Sequence, residues 1–400
     1  MRDADVIVVG AGPAGSTTAA RLAASGWRVV LVDRAVFPRG KPCGDYCNPG
    51  AVRLLEDAGI DFAQVPGGMR GPNGAGLIAS MAVVAQDGSH FREAFPSGRG
   101  ALIRRDRLDL SLLRRAQQLG VRVVEGFRVD GVTIDDTVEV RSTPSGRAFR
   151  ARLLIAADGM HSIVGQHLGL RCPPAGGRFA VGAYFSGVSG PPAGELHLGP
   201  ALYGGVARFG DGTANVCLAL PRRFFPGRPA EEAFALGLRA LPVLREMLPS
   251  WRRESPFRVT GPLGFAAHRV VADRTLLAGD AAGQVEPLTG QGISAALRSG
   301  LLAAETASRA LASGDLSARA LGHYEGRRAA LFGRRIRLMR IICTLALHPH
   351  GASVLVRRLA ARPDLARRLL GATGDLLEPQ AVLSMRYLAG LLLRDDAHPA

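Results

Sequence analysis

A loop rich in proline and glycine, with two cysteines, is the segment of this sequence best suited to chemistry. Residues 37–50 read FPRGKPCGDYCNPG and contain Cys43, Cys47 and Lys41, which is the only lysine of the chain. Proline removes backbone donors and glycine loosens the backbone, so neither a helix nor a strand is expected here. The C-x3-C spacing lacks a second pair of ligands, so no metal site is predicted. The loop is therefore expected to be shaped around a ligand.

The elements that precede this loop predict a dinucleotide site. An apolar run, DVIVV, leads into GAGPAG at 10–15, then an alanine-rich helical stretch, then RVVLVD ending at Asp33. This order of strand, G-x-G-x-x-G, helix, strand and acid is typical of dinucleotide-binding folds. Gly10 allows the tight turn, Gly12 lets backbone amides approach a pyrophosphate, and Gly15 lets helix and strand pack closely. Asp33 can accept hydrogen bonds from both ribose hydroxyls.

Three later segments indicate which dinucleotide. Residues 103–116 read IRRDRLDLSLLRRA, an arginine leading into an amphipathic helix. Residues 153–162 read LLIAADGMHS, and residues 276–299 read LLAGDAAGQVEPLTGQGISAALRS. The segments 153–162 and 276–299 each combine an apolar strand with an acidic turn. The segment 276–299 also contains a glycine loop followed by a helix. The N-terminal amides of that helix can stabilise electron-rich groups.

Together these motifs resemble the FAD-binding motifs of the flavoproteins that include aromatic hydroxylases, flavin halogenases and geranylgeranyl reductases. The resemblance extends over about residues 5–300. It implies that FAD is the cofactor. The residues that it assigns to cofactor binding are Gly10, Gly12, Pro13, Ala14, Gly15, Asp33, Arg34, Arg105, Asp158, Gly159, Asp280, Pro287, Gly290, Gly292 and Ile293.

The loop FPRGKPCG resembles the corresponding loop of geranylgeranyl reductases and related reductases of prenyl chains or quinone tails. The resemblance implies that Cys43 lies near the reactive side of the isoalloxazine, with Gly44 and Asp45 beside it. Lys41 and Arg39 can neutralise the cofactor's phosphates or an anionic substrate head. The alternative is that Cys43 is an inert residue packed in a loop, and Cys47 is interpreted as structural.

The sequence departs from the reductase pattern at residues 200–217, PALYGGVARFGDGTANVC. Where those enzymes carry Y-x-W-x-F-P, Tyr203 is kept as a candidate site residue, but Gly205, Ala207 and Arg208 replace the other three. The segment still predicts a hairpin. Loss of two large rings is expected to widen the pocket and to admit a bulkier or aromatic substrate.

The leading hypothesis is an FAD-dependent oxidoreductase that reduces C=C bonds of a hydrophobic substrate, such as an isoprenoid, a quinone tail or a polyketide. Hydride would reach one alkene carbon and a proton from Cys43 or water the other, with NAD(P)H or a redox protein as electron donor. The alternative is an FAD-dependent monooxygenase, a hydroxylase or epoxidase acting on an aromatic or polyketide substrate, since that chemistry needs no distinctive side chain. A remote alternative is a non-catalytic escort protein, and halogenation is disfavoured because Trp27 and Trp251 lie far apart.

The amino-acid composition limits which classes of partner and substrate the protein can bind. The formal net charge is +16, but nearly all basic residues are arginine and aromatic residues make up only 6%, so no nucleic-acid partner is predicted. The substrate is expected to be a hydrophobic small molecule, free or bound to a carrier. Five cysteines in 400 residues do not form a disulfide framework, and no apolar run has the length of a membrane helix. A cytoplasmic protein, with peripheral membrane contact as an option, is expected.

The predicted fold combines α/β and antiparallel β structure. A Rossmann-like FAD-binding domain of the glutathione reductase and hydroxylase type is expected at 1–75, 100–175 and 270–330. It is interleaved with a β-sheet substrate domain at 76–99 and 176–269. A C-terminal helical region follows at 331–400. Its mixture of leucine, isoleucine and arginine favours two readings, either a basic amphipathic tail on a membrane or a cap packed on the FAD domain.

Overall fold

The structure, a computed structural model, describes residues 2–62, 76–171, 177–284, 286–348 and 350–392. The residues outside these ranges are 1, 63–75, 172–176, 285, 349 and 393–400, and they include Cys172 and parts of the predicted segments.

A six-stranded, largely parallel sheet positions the glycine fingerprint. Its strands are, in spatial order, Val271–Ala272, Thr275–Leu277, Leu153–Ala156, Val6–Val9, Val29–Val32 and Arg122–Val124. The first pair is antiparallel and all other neighbours are parallel. The three central strands consist of valine, isoleucine, leucine and alanine and are buried throughout, as expected for a sheet covered on both faces. Helices Pro13–Ala24 and Gly292–Ser313 pack against each other and against this sheet.

The second sheet has eight strands and lies opposite the glycine fingerprint. Its strands are, in spatial order, Arg252–Arg253, Arg178–Ser186, Thr213–Pro221, Leu202–Arg208, Ala193–Gly199, Ser80–Ala85 and His90–Ala94, with Arg258–Thr260 also paired to Arg178–Ser186. The pairing is antiparallel except between Ala193–Gly199 and Ser80–Ala85. We name it the large sheet. The predicted hairpin at 200–217 forms two of its central strands.

Three small sheets complete the strand structure of the described ranges. One of them ties the cysteine loop to the body of the protein, because Tyr46–Cys47 pairs with Gly100–Leu102. The strands of these sheets are Tyr46–Cys47, Gly100–Leu102 and Leu77–Ile78 in the first, Gly131–Ile134, Val138–Ser142 and Arg147–Ala151 in the second, and Phe265–Ala266 and Gly283–Gln284 in the third.

The remaining α-helices fall before and after residue 315. The earlier ones are Pro49–Asp57, Arg105–Gln118, Ile163–His167, Ala230–Leu238 and Pro242–Met247. The later ones are Ala318–Leu321, His323–Ala346, Gly351–Ala361, Pro363–Thr373, Gln380–Leu383 and Met385–Leu392. Short 3-10 turns lie at Thr143–Ser145, Arg222–Phe224, Leu248–Ser250, Gly279–Ala282 and Pro287–Thr289.

The C-terminal helices cover the large sheet. Gly351–Ala361 and Pro363–Thr373 pack on strand His90–Ala94, and His323–Ala346 packs on Gly292–Ser313. Of the two readings of this tail, one placed it as a cap on the FAD domain; the helices contact both helix Gly292–Ser313 and the large sheet. Within the described ranges no single helix has the length and hydropathy to cross a membrane, although a bent pair, Ala318–Ala346 with Gly351–Ala361, meets those criteria when taken together.

The predicted fold class, α/β combined with antiparallel β, is confirmed by this arrangement. The parallel sheet brings the carboxyl ends of its strands to one edge, where ligands bind in open α/β folds. The large sheet and the C-terminal helices face that edge.

A candidate cofactor and substrate site

The glycine fingerprint forms a close crossing of strand, turn and helix. Gly10 has a φ of +98°, and a side chain there would place its Cβ 2.4 Å from Ala157 O. A Cβ on Gly15 would lie 1.8 Å from Gly10 O. Gly12 differs, because its backbone is extended and a Cβ there would meet only Arg39 Nη2, at 3.8 Å. Gly10 and Gly15 are thus required by packing, whereas Gly12 faces open space.

Asp33 is fixed at the rim of this turn. Its Oδ2 accepts a hydrogen bond from Ala11 N at 2.7 Å and its Oδ1 accepts one from Ala35 N at 2.8 Å. The carboxylate is therefore oriented by backbone amides, with lone pairs left for ribose hydroxyls. Arg34 follows it and is exposed.

The side chains and amides of this region fit FAD. The N-terminus of helix Pro13–Ala24 has no side-chain cap, so its amides can face a pyrophosphate. The buried polar atoms of the described residues that have no hydrogen-bond partner include Thr17 Oγ1, Asp158 Oδ1 and Gln284 Oε1. Gly12, Pro13, Ala14 and Gln284 line one cavity. The arrangement suits a dinucleotide with a polar linker.

Asp280 lies in the turn Gly279–Ala282 and faces the cysteine loop. Lys41 Nζ is 3.9 Å from Asp280 Oδ2, and Gln284 Nε2 donates to the same oxygen at 3.3 Å. Burial lowers the pKa of Lys41, and the neighbouring Asp280 counteracts that shift. Lys41 and Asp280 both line the cavity, so a cationic and an anionic group are available beside the cofactor position.

Asp158 caps a helix. Its Oδ2 accepts hydrogen bonds from Ile163 N at 2.8 Å and Val164 N at 3.3 Å, at the start of helix Ile163–His167. Burial raises its pKa. Gly159 lines the cavity. The turn at residues 158–159 is thus close to the cavity, and Asp158 binds the first amides of helix Ile163–His167.

The second glycine turn closes the cavity beside the cysteine loop. Gly290 has a φ of +69°, and a Cβ there would lie 2.5 Å from the Tyr46 ring. Gly292 begins the helix Gly292–Ser313. The predicted residues of this turn all line the cavity, namely Pro287, Gly290, Gly292 and Ile293.

Arg105 lines the cavity and is held by a residue that the sequence reasoning missed. Its guanidinium donates to both carboxylate oxygens of Asp109, at 3.0 and 2.9 Å. Arg39 Nη1 lies 2.8 Å from Asp109 Oδ2, so one buried carboxylate holds two arginines. The i, i+4 spacing of Arg105 and Asp109 was a signal for this pair.

The cysteine loop is anchored from behind by a buried carboxylate. Asp45 has a φ of +54° and is fully buried. Its Oδ2 accepts from Tyr184 Oη at 2.6 Å and Asn215 Nδ2 at 2.8 Å. Asn215 also donates to Cys43 O at 2.7 Å. Tyr184 and Asn215 lie on paired strands of the large sheet, so the sheet positions Cys43 through Asp45 and Asn215.

Cys43 presents a protonated thiol to the cavity. It lines the cavity together with Gly44, whereas Asp45 lies behind them. Burial raises the pKa of the Cys43 thiol above its ordinary value of 9.0, although Arg105 and the Asp45 amide lower it in part. The net shift keeps the proton on sulfur at neutral pH, which suits a proton donor better than a nucleophile.

Asp45 predicts a pH-dependent stability. Burial raises its pKa from 3.8 to about 6, against the hydrogen bonds of Tyr184 and Asn215 that lower it. Because the folded pKa exceeds the unfolded one, the stabilisation is complete below about pH 4 and is lost as the pH rises through about 6. We expect the wild type to lose about 2 kcal/mol of unfolding free energy between pH 4.5 and pH 7 relative to Asp45→Asn. Urea titrations at pH 4.5 and pH 7 measure this, and equal pH dependence in both proteins would contradict it.

One cavity of about 300 Å³ is lined by residues of both glycine turns and of the cysteine loop. The predicted site residues that do not line it are Gly10, Gly15, Asp33, Arg34, Asp45 and Asp158. Its cofactor end is formed by the two glycine turns and the cysteine loop. Its opposite part is apolar and lies between the large sheet and the C-terminal helices. The apolar lining residues include Met81, Val83, Phe91, Leu196 and Leu198 of the sheet and Ile342, Ala346, Leu355, Leu359 and Leu370 of the helices. We name the helices His323–Ala346, Gly351–Ala361 and Pro363–Thr373 the roof.

Tyr203 lies on the large sheet in the middle of this cavity. Its Oη donates to Glu286 Oε1 at 2.8 Å, and Arg178 Nη1 donates to Glu286 Oε2 at 3.0 Å. Burial raises the pKa of Tyr203, so its phenol is protonated. Gly205, two residues on, also lines the cavity, and a Cβ there would meet nothing within 4 Å. The centre of the sheet face is therefore open, as expected from the missing rings, and Glu286 was not foreseen from sequence.

Sequence comparison finds relatives of this chain among known proteins. Residues 3–184 match the model of a family described as FAD binding domain. Digeranylgeranylglycerophospholipid reductase 1 of Methanothermobacter thermautotrophicus is 31% identical over 346 residues, which cover 81% of this chain and 82% of that protein. Menaquinone reductase of Mycobacterium tuberculosis is 34% identical over 326 residues, or 76% of each chain.

Solved structures show the same fold at lower identity. A geranylgeranyl bacteriochlorophyll reductase-like protein from Thermoplasma acidophilum has a TM-score of 0.78 at 21% identity and covers 96% of this chain and 99% of its own. A triple mutant of the flavin-dependent brominase Bmp2 has a TM-score of 0.81 at 19% identity and covers 95% of this chain and 97% of its own. At these identities the likeness concerns the fold alone.

Proposed function

This chain belongs to the geranylgeranyl reductase-like group of FAD-dependent oxidoreductases, and from this membership we propose that it reduces a carbon–carbon double bond of a hydrophobic substrate. The observation that carries the proposal is the single cavity that joins the cofactor end, the Cys43 thiol and an apolar compartment. A substrate chain in that compartment reaches the thiol and the cofactor without crossing water. The FAD-binding and catalytic residues predicted from sequence are part of this proposal, as is the division into an FAD domain, a substrate domain and a helical region.

FAD, when bound, supplies the hydride that adds to one carbon of the double bond. The chain's own residues manage the proton for the other carbon. Cys43 holds that proton because burial disfavours its thiolate. Asn215 and Asp45 hold the loop so that the sulfur faces the cavity. After proton transfer, Arg105 lies where it can stabilise the thiolate until water returns a proton.

The substrate class follows from the lining. The compartment under the roof carries alkyl and aromatic side chains, which favour an isoprenoid chain, a quinone tail or another apolar chain. Tyr203 and Glu286 offer a hydrogen bond in the middle of it, and the space beside Gly205 admits a branched or ring-bearing portion. NAD(P)H or a redox protein is the proposed electron donor.

Exposed apolar residues on the roof support contact with an anionic membrane surface, which would supply such a lipid. Ile341, Leu345 and Val354 are 39%, 45% and 53% exposed. The same helices carry Arg337 and Arg340, which suit anionic headgroups. A cytoplasmic site of action, with peripheral attachment through the roof, belongs to the proposal.

The proposed membrane contact predicts that negative charge added to the roof weakens binding to anionic vesicles. Replacing Leu345 and Val354 together with glutamate is expected to reduce binding to vesicles containing phosphatidylglycerol by about 10-fold or more, since two apolar side chains are lost and like charges added. Co-sedimentation measures the bound fraction. Val259→Glu, at a residue 42% exposed on the large sheet, is the matched control. Equal binding by the double variant and this control would contradict the proposed surface.

Anaerobic single turnover tests the proposed reaction. The FAD-loaded protein is reduced with dithionite and mixed, without oxygen, with a geranylgeranyl ether lipid. We expect the visible flavin absorbance to return and the product to gain two hydrogen atoms in its mass spectrum. Reaction only after oxygen is admitted, with a gain of one oxygen atom, would establish a monooxygenase instead.

A further inference from the structure

Asp375 forms a buried junction in which four segments of the chain meet. It lies just after helix Pro363–Thr373 and its side chain is 2% exposed. Its Oδ1 accepts from Arg335 Nε at 2.9 Å and Gln291 Nε2 at 3.3 Å. Its Oδ2 accepts from Asn48 Nδ2 at 3.1 Å and from Ser294 Oγ. The four donors to the carboxylate thus come from three other segments of the fold, since Gln291 and Ser294 belong to the same turn and helix start.

The backbone around Asp375 is shaped for this contact. Asp375 has a φ of +58°, a conformation that costs free energy in any residue other than glycine unless its surroundings fix it. Gly50 packs against it so closely that a Cβ on Gly50 would lie 2.4 Å from Asp375 Cβ. Gly50 N also donates to Gly374 O at 2.8 Å, and Asn48 Nδ2 donates to Thr373 O at 3.0 Å. Residues 48–50 and residues 373–375 thus both contribute side-chain and backbone contacts to the junction.

Each partner of Asp375 belongs to a segment with a part in the site. Arg335 belongs to the roof helix His323–Ala346. Gln291 and Ser294 flank Gly292 and Ile293 at the glycine turn of the cofactor end. Asn48 caps helix Pro49–Asp57, which directly follows the cysteine loop. A single carboxylate therefore ties the roof to both segments that face the cofactor.

We propose that Asp375 is a positioning residue that couples closure of the roof over the apolar compartment to binding of FAD at the glycine turn. Arg335 lies on a roof helix and Asp375 directly follows one, so raising the roof would separate Asp375 from Asn48, Gln291 and Ser294. The buried polar groups left without partners make this strongly unfavourable. FAD that orders the glycine turn stabilises Gln291 and Ser294 in the positions that Asp375 needs, and hence stabilises the closed roof. The inference rests on the proposed function only in assigning the apolar compartment to a substrate. The coupling between the roof and the glycine turn requires FAD and no substrate.

Amide hydrogen exchange of the apoprotein, with and without saturating FAD, tests the coupling without turnover. In the wild type FAD is expected to slow exchange in Gly351–Ala361 and Pro363–Thr373 by about 10-fold, within the usual range of coupling between sites. In Asp375→Asn, saturated with FAD, the effect is expected to fall below about 2-fold. Helix Ala230–Leu238, which packs on the large sheet away from the roof, reports any global change.

Two further variants separate coupling from simple loss of structure. Ser294→Ala removes one donor at the glycine turn but keeps the pair of Asp375 with Arg335. It is expected to reduce the protection of the roof helices by FAD at least about 2-fold. Asp364→Asn removes an exposed carboxylate from the same roof helix and is expected to behave as the wild type. Equal protection of the roof by FAD in the wild type, Asp375→Asn and Ser294→Ala would overturn the proposal, and so would a wild-type roof that does not respond to FAD. Failure of double-bond reduction, measured separately, would leave these results unaffected.

Discussion

Replacing Cys43 with alanine is expected to slow reduction of the substrate double bond by about 10²- to 10⁴-fold, the range that a positioned proton donor contributes. The thiol lines the cavity, its pKa is raised by burial, and its loop is held by Asn215 and Asp45. Alanine removes the proton but leaves the backbone contacts in place. Stopped-flow absorbance of the reduced flavin, mixed anaerobically with substrate, measures the rate directly.

The pH dependence of the wild type should carry the signature of the same thiol. Because Cys43 must be protonated to act, the rate is expected to stay level through neutral pH and to fall only as the pH rises through a value above 9.0. In Cys43→Ala this alkaline limb should be absent, since water then supplies the proton. An alkaline limb that persists in the variant would assign it to another group.

A matched control uses a thiol outside the cavity. Cys343 lies on the roof helix, is half-buried and does not line the cavity. Cys343→Ala should retain the wild-type rate and the wild-type flavin spectrum. If Cys43→Ala also keeps its rate within about 3-fold, Cys43 is a packing residue of the loop and the proton comes from elsewhere.

Local motifs explain why the two glycine turns could be predicted from sequence. The fingerprint at 10–15 and the turn at 287–294 each need particular residues at neighbouring positions, because one short backbone segment must pack tightly or approach a ligand. Gly10 and Gly15 illustrate this, since a Cβ at either would strike backbone atoms. Such requirements are visible within a few residues of sequence.

The supporting side chains could not be predicted in the same way. Asn215 and Tyr184 reach Asp45 from 170 and 139 residues away, and Asp375 reaches Asn48 across 327. Their roles depend on how the large sheet and the C-terminal helices pack, which no local pattern specifies. The amphipathic tail likewise predicts an apolar face but not what that face covers. Here part of it lines the cavity and part is exposed.

Replacing Gly12 with valine is expected to weaken FAD binding by about 10- to 100-fold while leaving the apoprotein folded. A Cβ at Gly12 meets only the end of Arg39, at 3.8 Å, and the extended backbone accepts a β-branched residue without strain. The valine methyl groups would instead occupy the space through which backbone amides approach the pyrophosphate. Overpacking of this kind costs about 1–3 kcal/mol, and 1.4 kcal/mol is tenfold in affinity.

Gly15→Ala provides the contrast that makes this result specific. A Cβ on Gly15 would lie 1.8 Å from Gly10 O, so that variant should destabilise the apoprotein itself. Titration of FAD into each apoprotein, followed by quenching of flavin fluorescence, gives the affinities, and thermal unfolding without FAD gives the stabilities. Gly12→Val should lose affinity at unchanged stability, whereas Gly15→Ala should lose both. Wild-type affinity in Gly12→Val would mean that the pyrophosphate does not pass this glycine and that the cofactor residues assigned around it need to be reassigned.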